Sequence, residues 1–213
     1  MPNRFIKWPA PTVSTSRRGK PFLRWAGSKR KQLSRLASFW SPNHTRYVEP
    51  FAGSACLFFE LAPGSAVLGD SNEELIEVYR VVCNEPERLY RRLCRVKRDL
   101  KTYRRWRQLN PKLLDRETRA LRFLYLNRNC FNGIYRTNRL GDFNVPMGTR
   151  QGAYISKDDF LNCSLLLQNV TLAGGQSFRA YSVNEISRSD DNTAIRQRRV
   201  NDLGFSGGRL FQP

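Results

Sequence analysis

The period of the apolar positions changes along this chain, and each change marks an element. In "YVEPFAGSACLFFEL", beginning at Tyr47, an apolar run closes on a glycine turn and a second apolar run opens after it. This pattern predicts a short strand over "YVEPFAG" and a helix from "SACLFFEL". "AVLGDSN" repeats the strand signal and ends in an acidic loop, and "EELIEVYRVV" repeats the helix signal. Strand, helix, strand, helix is the order of a parallel α/β sheet. Upstream, "PFLRWAGSKRKQLSRL" predicts a loop running into a basic helix.

Leu89, Leu93, Val96, Leu100 and Tyr103 follow at steps of four, three, four and three, which predicts one long helix with a single apolar stripe. "ETRALRFLYLNRNCFNGIYRTNRLGDFNVPMG", from Glu117 to Gly148, reads as a helix leading into a hairpin with turns at "FNG" and "RLGD". "LLLQNVTLA" predicts one more strand. From about Ser182 the chain is polar, basic and aperiodic, and it reads as disordered or non-native coding. The expected organisation is a flexible arm over 1–20, an α/β part over 21–83, a helical and hairpin region over 84–152, a return to the α/β part over 153–181, and the tail over 182–213.

Charge adds a partner to this picture. Lys and Arg number 37 against 18 acidic residues, a net charge of +19, and such an excess usually meets nucleic acid or an anionic membrane surface. Ten of the twenty residues from Arg88 to Arg107 are basic. They form either a solvated face or a phosphate-facing surface in which Arg92 contacts DNA phosphates. No run of about 18 apolar residues exists that could span a membrane, and the N-terminus has no apolar core of a signal peptide. The five cysteines form no close pair and His44 is the only histidine, which argues against a metal site and a disulfide framework and for a reducing cytoplasm.

The glycine turn carries the chemistry. A glycine after a strand lets backbone approach a ligand, and the next helix start offers free N–H groups. Asp70 closes the second strand 17 positions after Gly53, where an acidic residue commonly accepts from ribose hydroxyls. The alternative is a turn glycine with a helix-capping aspartate. No G-x-G-x-x-G is present, so a nucleoside without a pyrophosphate suits the loop better than a dinucleotide.

Four stretches in order resemble the Dam-type (D12 class) DNA adenine N6-methyltransferases: "PFLRWAGSK", "YVEPFAGSACLFF", "LGDSNEELIEVY" and "FLYLNRNCFNGIYRTNRLGDFNVPMG". The resemblance implies an incomplete Rossmann-like α/β methyltransferase sheet with a helical and hairpin DNA-recognition insertion. It implies S-adenosyl-L-methionine as cofactor, held by Trp25, Lys29, Phe51, Gly53 and Asp70, with no metal. It implies double-stranded DNA as partner of a cytoplasmic monomer. Phe131 falls where the family wedges an aromatic into the opened base stack, and Arg136 where an arginine reads guanine. Arg24, Arg128, Asn132, Asn138 and Pro146 fall at further DNA-contact positions.

Two substitutions depart from the family pattern: Ser28 in "WAGSK" and Ala55 in "GSA", the second expected to crowd the loop. A larger departure is the catalytic Asp-Pro-Pro-Tyr, which occurs nowhere in the 213 residues. The chain is therefore expected to hold the methyl donor without using it, as a truncated or frameshifted product. A non-catalytic basic DNA-binding protein and an RNA-associated protein are the alternative readings.

Overall fold

A computed structural model describes residues 18–175 apart from 42, 45, 150 and 151. Expectations for residues 1–17 and for the tail from 182 fall outside the described residues. Three parallel strands, β1 (Tyr47–Glu49), β2 (Ala66–Asp70) and β3 (Val170–Gly174), form a sheet in the order β1-β2-β3. Tyr47 pairs with Ala66, and Asp70 with Gly174. All five residues of β2 are buried, as befits a central parallel strand covered on both faces. The architecture is the α/β class expected, with a sheet of three parallel strands among the described residues.

Helix α1 (Leu33–Ala37) follows the first loop, α2 (Cys56–Leu61) follows β1, and α3 (Glu73–Asn84) follows β2. Asn72 caps α3 by accepting from the Leu75 amide at 3.1 Å, and Glu73 and Glu74 oppose the positive helix end. Phe22 anchors the core beneath these elements, edge-on to Phe59, Tyr79 and Phe160 at 5.9, 5.4 and 5.5 Å.

The long helix expected through residues 89–103 is two helices, α4 (Pro86–Arg95) and α5 (Leu100–Gln108). Val96 is extended at φ −72°, ψ 122°, and Asp99 restarts the helix by accepting from the Thr102 amide at 2.7 Å. Leu89, Leu93 and Tyr103 are still buried, but Leu100 is 49% exposed. Both helices pack on α6 (Arg116–Asn129), whose Asp115 cap accepts from the Thr118 amide at 2.9 Å. Buried Arg122 of α6 donates to the Trp106 and Arg107 carbonyls, which closes the α5 C-terminus.

Two further expectations change. In "LLLQNVTLA" the three leucines finish helix α7 (Lys157–Leu167), and only Val170 onward is strand. Phe160, Cys163, Ser164 and Leu167 are its buried positions, a helical spacing. Residues 18–20, assigned to a flexible arm, are held in place. Gly19 donates to the Phe59 carbonyl at 2.7 Å, Arg18 pairs with Glu60, and Lys20 pairs with Asp159. Among the described residues no helix is long and apolar enough to cross a membrane.

Candidate functional site

The loop between β1 and α2 lies at the C-terminal end of the parallel strands, where open α/β sheets bind ligands. Gly53 adopts φ +49°, a left-handed conformation that favours glycine. Its amide donates to Asp70 Oδ2 at 3.0 Å, and its carbonyl accepts from the Tyr79 hydroxyl at 2.7 Å. Asp70 also accepts from the Asn72 amide at 3.0 Å, so this buried carboxylate ties the two strand ends together. A carboxylate has about four acceptor positions, so two amides leave capacity for a ligand hydroxyl. An added Cβ on Gly53 would sit 2.6 Å from Trp25 Cδ1. Trp25, Gly53 and Asp70 are thus brought together.

Lys29 and Phe51 sit at the rim of this loop. Lys29 Nζ donates to the Gly27 carbonyl at 2.9 Å, and Phe51 is 62% exposed. Ala55 stands where the family pattern has a glycine, in a left-handed conformation that an L residue rarely adopts. It adopts φ +48° and is fully buried, so its methyl belongs to the core. Ser28 joins the loop from the other side, with its hydroxyl 3.4 Å from that of Ser54 and 3.7 Å from Cys56 Sγ. Bare backbone, an indole and a buried acceptor fit a nucleoside-type cofactor.

Sequence reasoning missed Glu49, although it stands in the quoted "YVEPF". Burial pushes its carboxyl up to about 7, opposed by the Tyr47 hydroxyl hydrogen bond at 2.9 Å, the Phe58 backbone and the Lys29 charge. A carboxyl raised in the folded state stabilises below its unfolded value near 4.5 and loses that contribution as pH rises through about 7. Glu49→Gln is therefore expected to flatten the fall in stability across this window and to raise stability at pH 8 by up to about 3 kcal/mol. Urea midpoints from pH 4.5 to 8 check this; parallel curves for the two proteins would refute it.

The second group surrounds the turn after α6. Phe131, 48% exposed, donates its amide to the Pro146 carbonyl at 2.9 Å. Asn132 is left-handed at φ +54° and exposed, beside Gly133 at φ +66°. Antiparallel bridges Cys130–Met147 and Thr137–Phe143 make the hairpin that the sequence suggested. Arg136 is exposed on it, and Asn138 Oδ1 accepts from the Leu140 and Asp142 amides at 2.9 Å, so Asn138 shapes the turn. Arg24 reaches this group, since an added Cβ on Gly133 would lie 2.4 Å from its Cδ. Arg128 donates to the Ala153 carbonyl at 2.7 Å.

Aromatic rings join the two groups. Trp25 lies within 14° of parallel to both Phe123 and Tyr135, and the Tyr135 hydroxyl donates to Glu74 at 2.9 Å. Asn127, fully buried on α6, accepts from the Arg24 amide and donates to the Arg24 carbonyl at 2.9 and 2.7 Å. Neither tie has a local sequence signal.

The basic stretch 88–107 is divided. Arg88 and Arg92 hold buried Glu117, with nitrogen–oxygen distances of 3.0 Å each, so Arg92 is occupied within the fold rather than left for phosphate. Arg91, Arg95, Arg104 and Arg105 are exposed and make no ion pair among the described residues.

Residues 25–191 match the family model of the D12 class N6 adenine-specific DNA methyltransferases. The match reaches past residue 182, into the stretch read as non-native. Type II methyltransferase M1.LlaDCHI of Lactococcus lactis is 39% identical over 137 residues, 61% of this chain and 48% of that protein. Type II methyltransferase M.MjaIII of Methanocaldococcus jannaschii is 33% identical over 178 residues, 73% of this chain and 62% of that protein. A DNA adenine methylase of Haemophilus influenzae is 31% identical over 201 residues, 90% of this chain and 70% of its own. The chain spans about half the length of several curated relatives that it matches, such as 48% and 50% of two of them.

Proposed function

The chain belongs to the D12 class of N6 adenine-specific DNA methyltransferases, and on that premise we propose that it holds S-adenosylmethionine and duplex DNA for transfer of a methyl group to adenine. One observation carries the cofactor half of this reading. Asp70 pins the Gly53 amide at 3.0 Å beside Trp25, which preforms a bare-backbone cradle at the carboxyl end of the sheet. Trp25 would pack the cofactor, Asp70 would accept from its ribose and Lys29 would meet its carboxylate. The bound cofactor supplies the electrophilic methyl group. Glu49, held close to its titration midpoint at neutral pH, adds a carboxyl that a cationic cofactor would draw toward ionisation.

The recognition turn supplies the DNA half. Phe131 is an exposed ring whose amide is tied to the Pro146 carbonyl, and it would fill a stack from which a base has been withdrawn. Arg136 stands exposed on the hairpin with a fork of donors for guanine. Arg136→Ala is expected to relax sequence choice, removing about 1–3 kcal/mol of discrimination at one base pair. Arg104→Ala, at an exposed helix position, is expected to weaken every duplex alike. Binding to duplexes that differ at single base pairs reads both effects. An equal loss across that panel for Arg136→Ala would refute the assignment.

A further inference from the structure

We propose that Tyr135 is a positioning residue that ties the grip of Arg136 on its base pair to occupancy of the cofactor loop. This role deepens the reading above and rests on it for the identity of the two ligands. The two ends of the Tyr135 side chain engage different parts of the cradle. Its ring is layered with Trp25, at 6.2 Å between centroids and 14° from parallel, and its hydroxyl donates to Glu74 Oε2 at 2.9 Å.

On the recognition side, Tyr135 and Arg136 are neighbours along one arm of the hairpin. Ile134 is extended at φ −85°, ψ 106°, and Thr137 opens the antiparallel bridge to Phe143. Successive side chains of an extended segment leave it on opposite sides. Tyr135 is accordingly half-buried and Arg136 exposed. The Tyr135 ring meets Phe123 of α6 at 3.9 Å and Phe143 across the hairpin at 4.8 Å, and the Arg136 carbonyl accepts from the Asn144 amide at 3.3 Å. Where the Tyr135 ring settles, the point from which the Arg136 side chain emerges is set with it.

On the cofactor side, Glu74 stands in the first turn of α3, four residues after Asp70. Asp70 accepts from the Asn72 amide at 3.0 Å, and Asn72 Oδ1 accepts from the Leu75 amide at 3.1 Å, so the start of α3 is tied to the carboxylate of Asp70. Burial, then the Glu74 charge, push the Tyr135 hydroxyl above its ordinary value, so it stays a donor at neutral pH. Trp25 abuts Gly53 on its own side, where an added Cβ would lie 2.6 Å from its Cδ1. A cofactor held by Trp25 and Asp70 therefore restrains both partners of Tyr135 at once.

Ordering these groups costs conformational entropy, and the first ligand to bind meets most of that cost. The second finds the hairpin and the cradle already aligned. The effect is reciprocal: the duplex must tighten cofactor binding by the same factor as the cofactor tightens duplex binding. A tyrosine that only joined α3 to the hairpin would lower stability when trimmed and leave this factor unchanged.

The factor is read by calorimetric titration of S-adenosylmethionine into the chain alone and into the chain saturated with duplex, using the tightest binder of the single-base-pair panel above. The native chain is expected to bind the cofactor about tenfold more tightly on that duplex. Tyr135→Phe keeps the ring and removes the donor, and Glu74→Ala removes the acceptor. Each is expected to bring the ratio to within about twofold of one, and the double variant to do no more than either. Glu74→Gln keeps an acceptor and is expected to hold the ratio within about threefold of the native one. Tyr90→Phe is the control for stability alone, because it removes a comparable bond, to the Ile155 carbonyl at 2.9 Å, from a residue of α4. It should leave the ratio unchanged. A native ratio within about twofold of one would overturn the role of Tyr135 and leave the cofactor and DNA reading standing. So would a native ratio that survives in the double variant, or an equal loss in Tyr90→Phe. A native chain that does not bind both ligands would overturn the reading of the previous section, and the role of Tyr135 with it.

Discussion

The 213-residue chain is expected to transfer no methyl group to adenine-containing duplex DNA above background, even where it binds both cofactor and DNA. The adenine amino nitrogen is a poor nucleophile because its lone pair is delocalised into the ring. An enzyme must accept its protons, draw it out of the ring plane and hold the base against the donor. The family resemblance assigns that work to an Asp-Pro-Pro-Tyr segment, and no Pro-Pro occurs in these 213 residues. On the proposed reading Trp25, Lys29 and Asp70 hold the donor, and the Asp70 carboxylate is already engaged by the Gly53 and Asn72 amides. Loss of orientation and charge stabilisation together lowers rates by about 10⁴-fold or more. The measurement is incorporation of labelled methyl from S-adenosylmethionine, with the Haemophilus relative as positive control under the same conditions. Incorporation within tenfold of that control would sink this expectation and move the search for the accepting group to other residues of the chain.

Much of the sheet was legible because a buried parallel strand writes a continuous apolar run between turn signals. β1 and β2 and the helices after them stand where "YVEPFAG" and "AVLGDSN" put them. The break between α4 and α5 was hidden by an apolar stripe that continues through it, since α4 buries Leu89 and Leu93 and α5 buries Tyr103. Its one local mark is Asp99, three residues before Thr102, a cap signal that periodicity overrides. Helix α7 was legible and misread. Ser156 and Asp159 carry its start, with the Ser156 hydroxyl accepting from the Asp159 amide at 3.1 Å, but the leucines before β3 look equally like a strand. At the site, Gly53 and Asp70 announce themselves by spacing. Tyr79 and Asn127 do not, because what they do depends on partners 26 and 103 residues away.

Gly53→Ala is expected to reduce S-adenosylmethionine affinity at least about 100-fold and to destabilise the fold by about 2–4 kcal/mol. The residue is left-handed at φ +49°, which costs an alanine about 1 kcal/mol. Space costs more. The new Cβ would lie 2.6 Å from Trp25 Cδ1, 3.1 Å from Cγ and 3.2 Å from Nε1, so the indole has to move. It is not free to do so, because it is layered within 14° of parallel to both Phe123 and Tyr135. Nor can the loop retreat, since the Gly53 amide is bonded to Asp70 and its carbonyl to Tyr79. Relief in either direction displaces Trp25 or Asp70, both proposed above to hold the cofactor. Gly64→Ala is the control, because nothing lies within 4 Å of a Cβ there, and it should leave affinity unchanged. The double variant Trp25→Ala with Gly53→Ala separates the clash from general unfolding. With the indole gone, the second substitution should cost only the backbone part, about 1 kcal/mol, and the two changes should be far from additive. Strict additivity, or a Gly53→Ala chain that binds the cofactor within threefold of the native one, would show that the loop yields without moving Trp25.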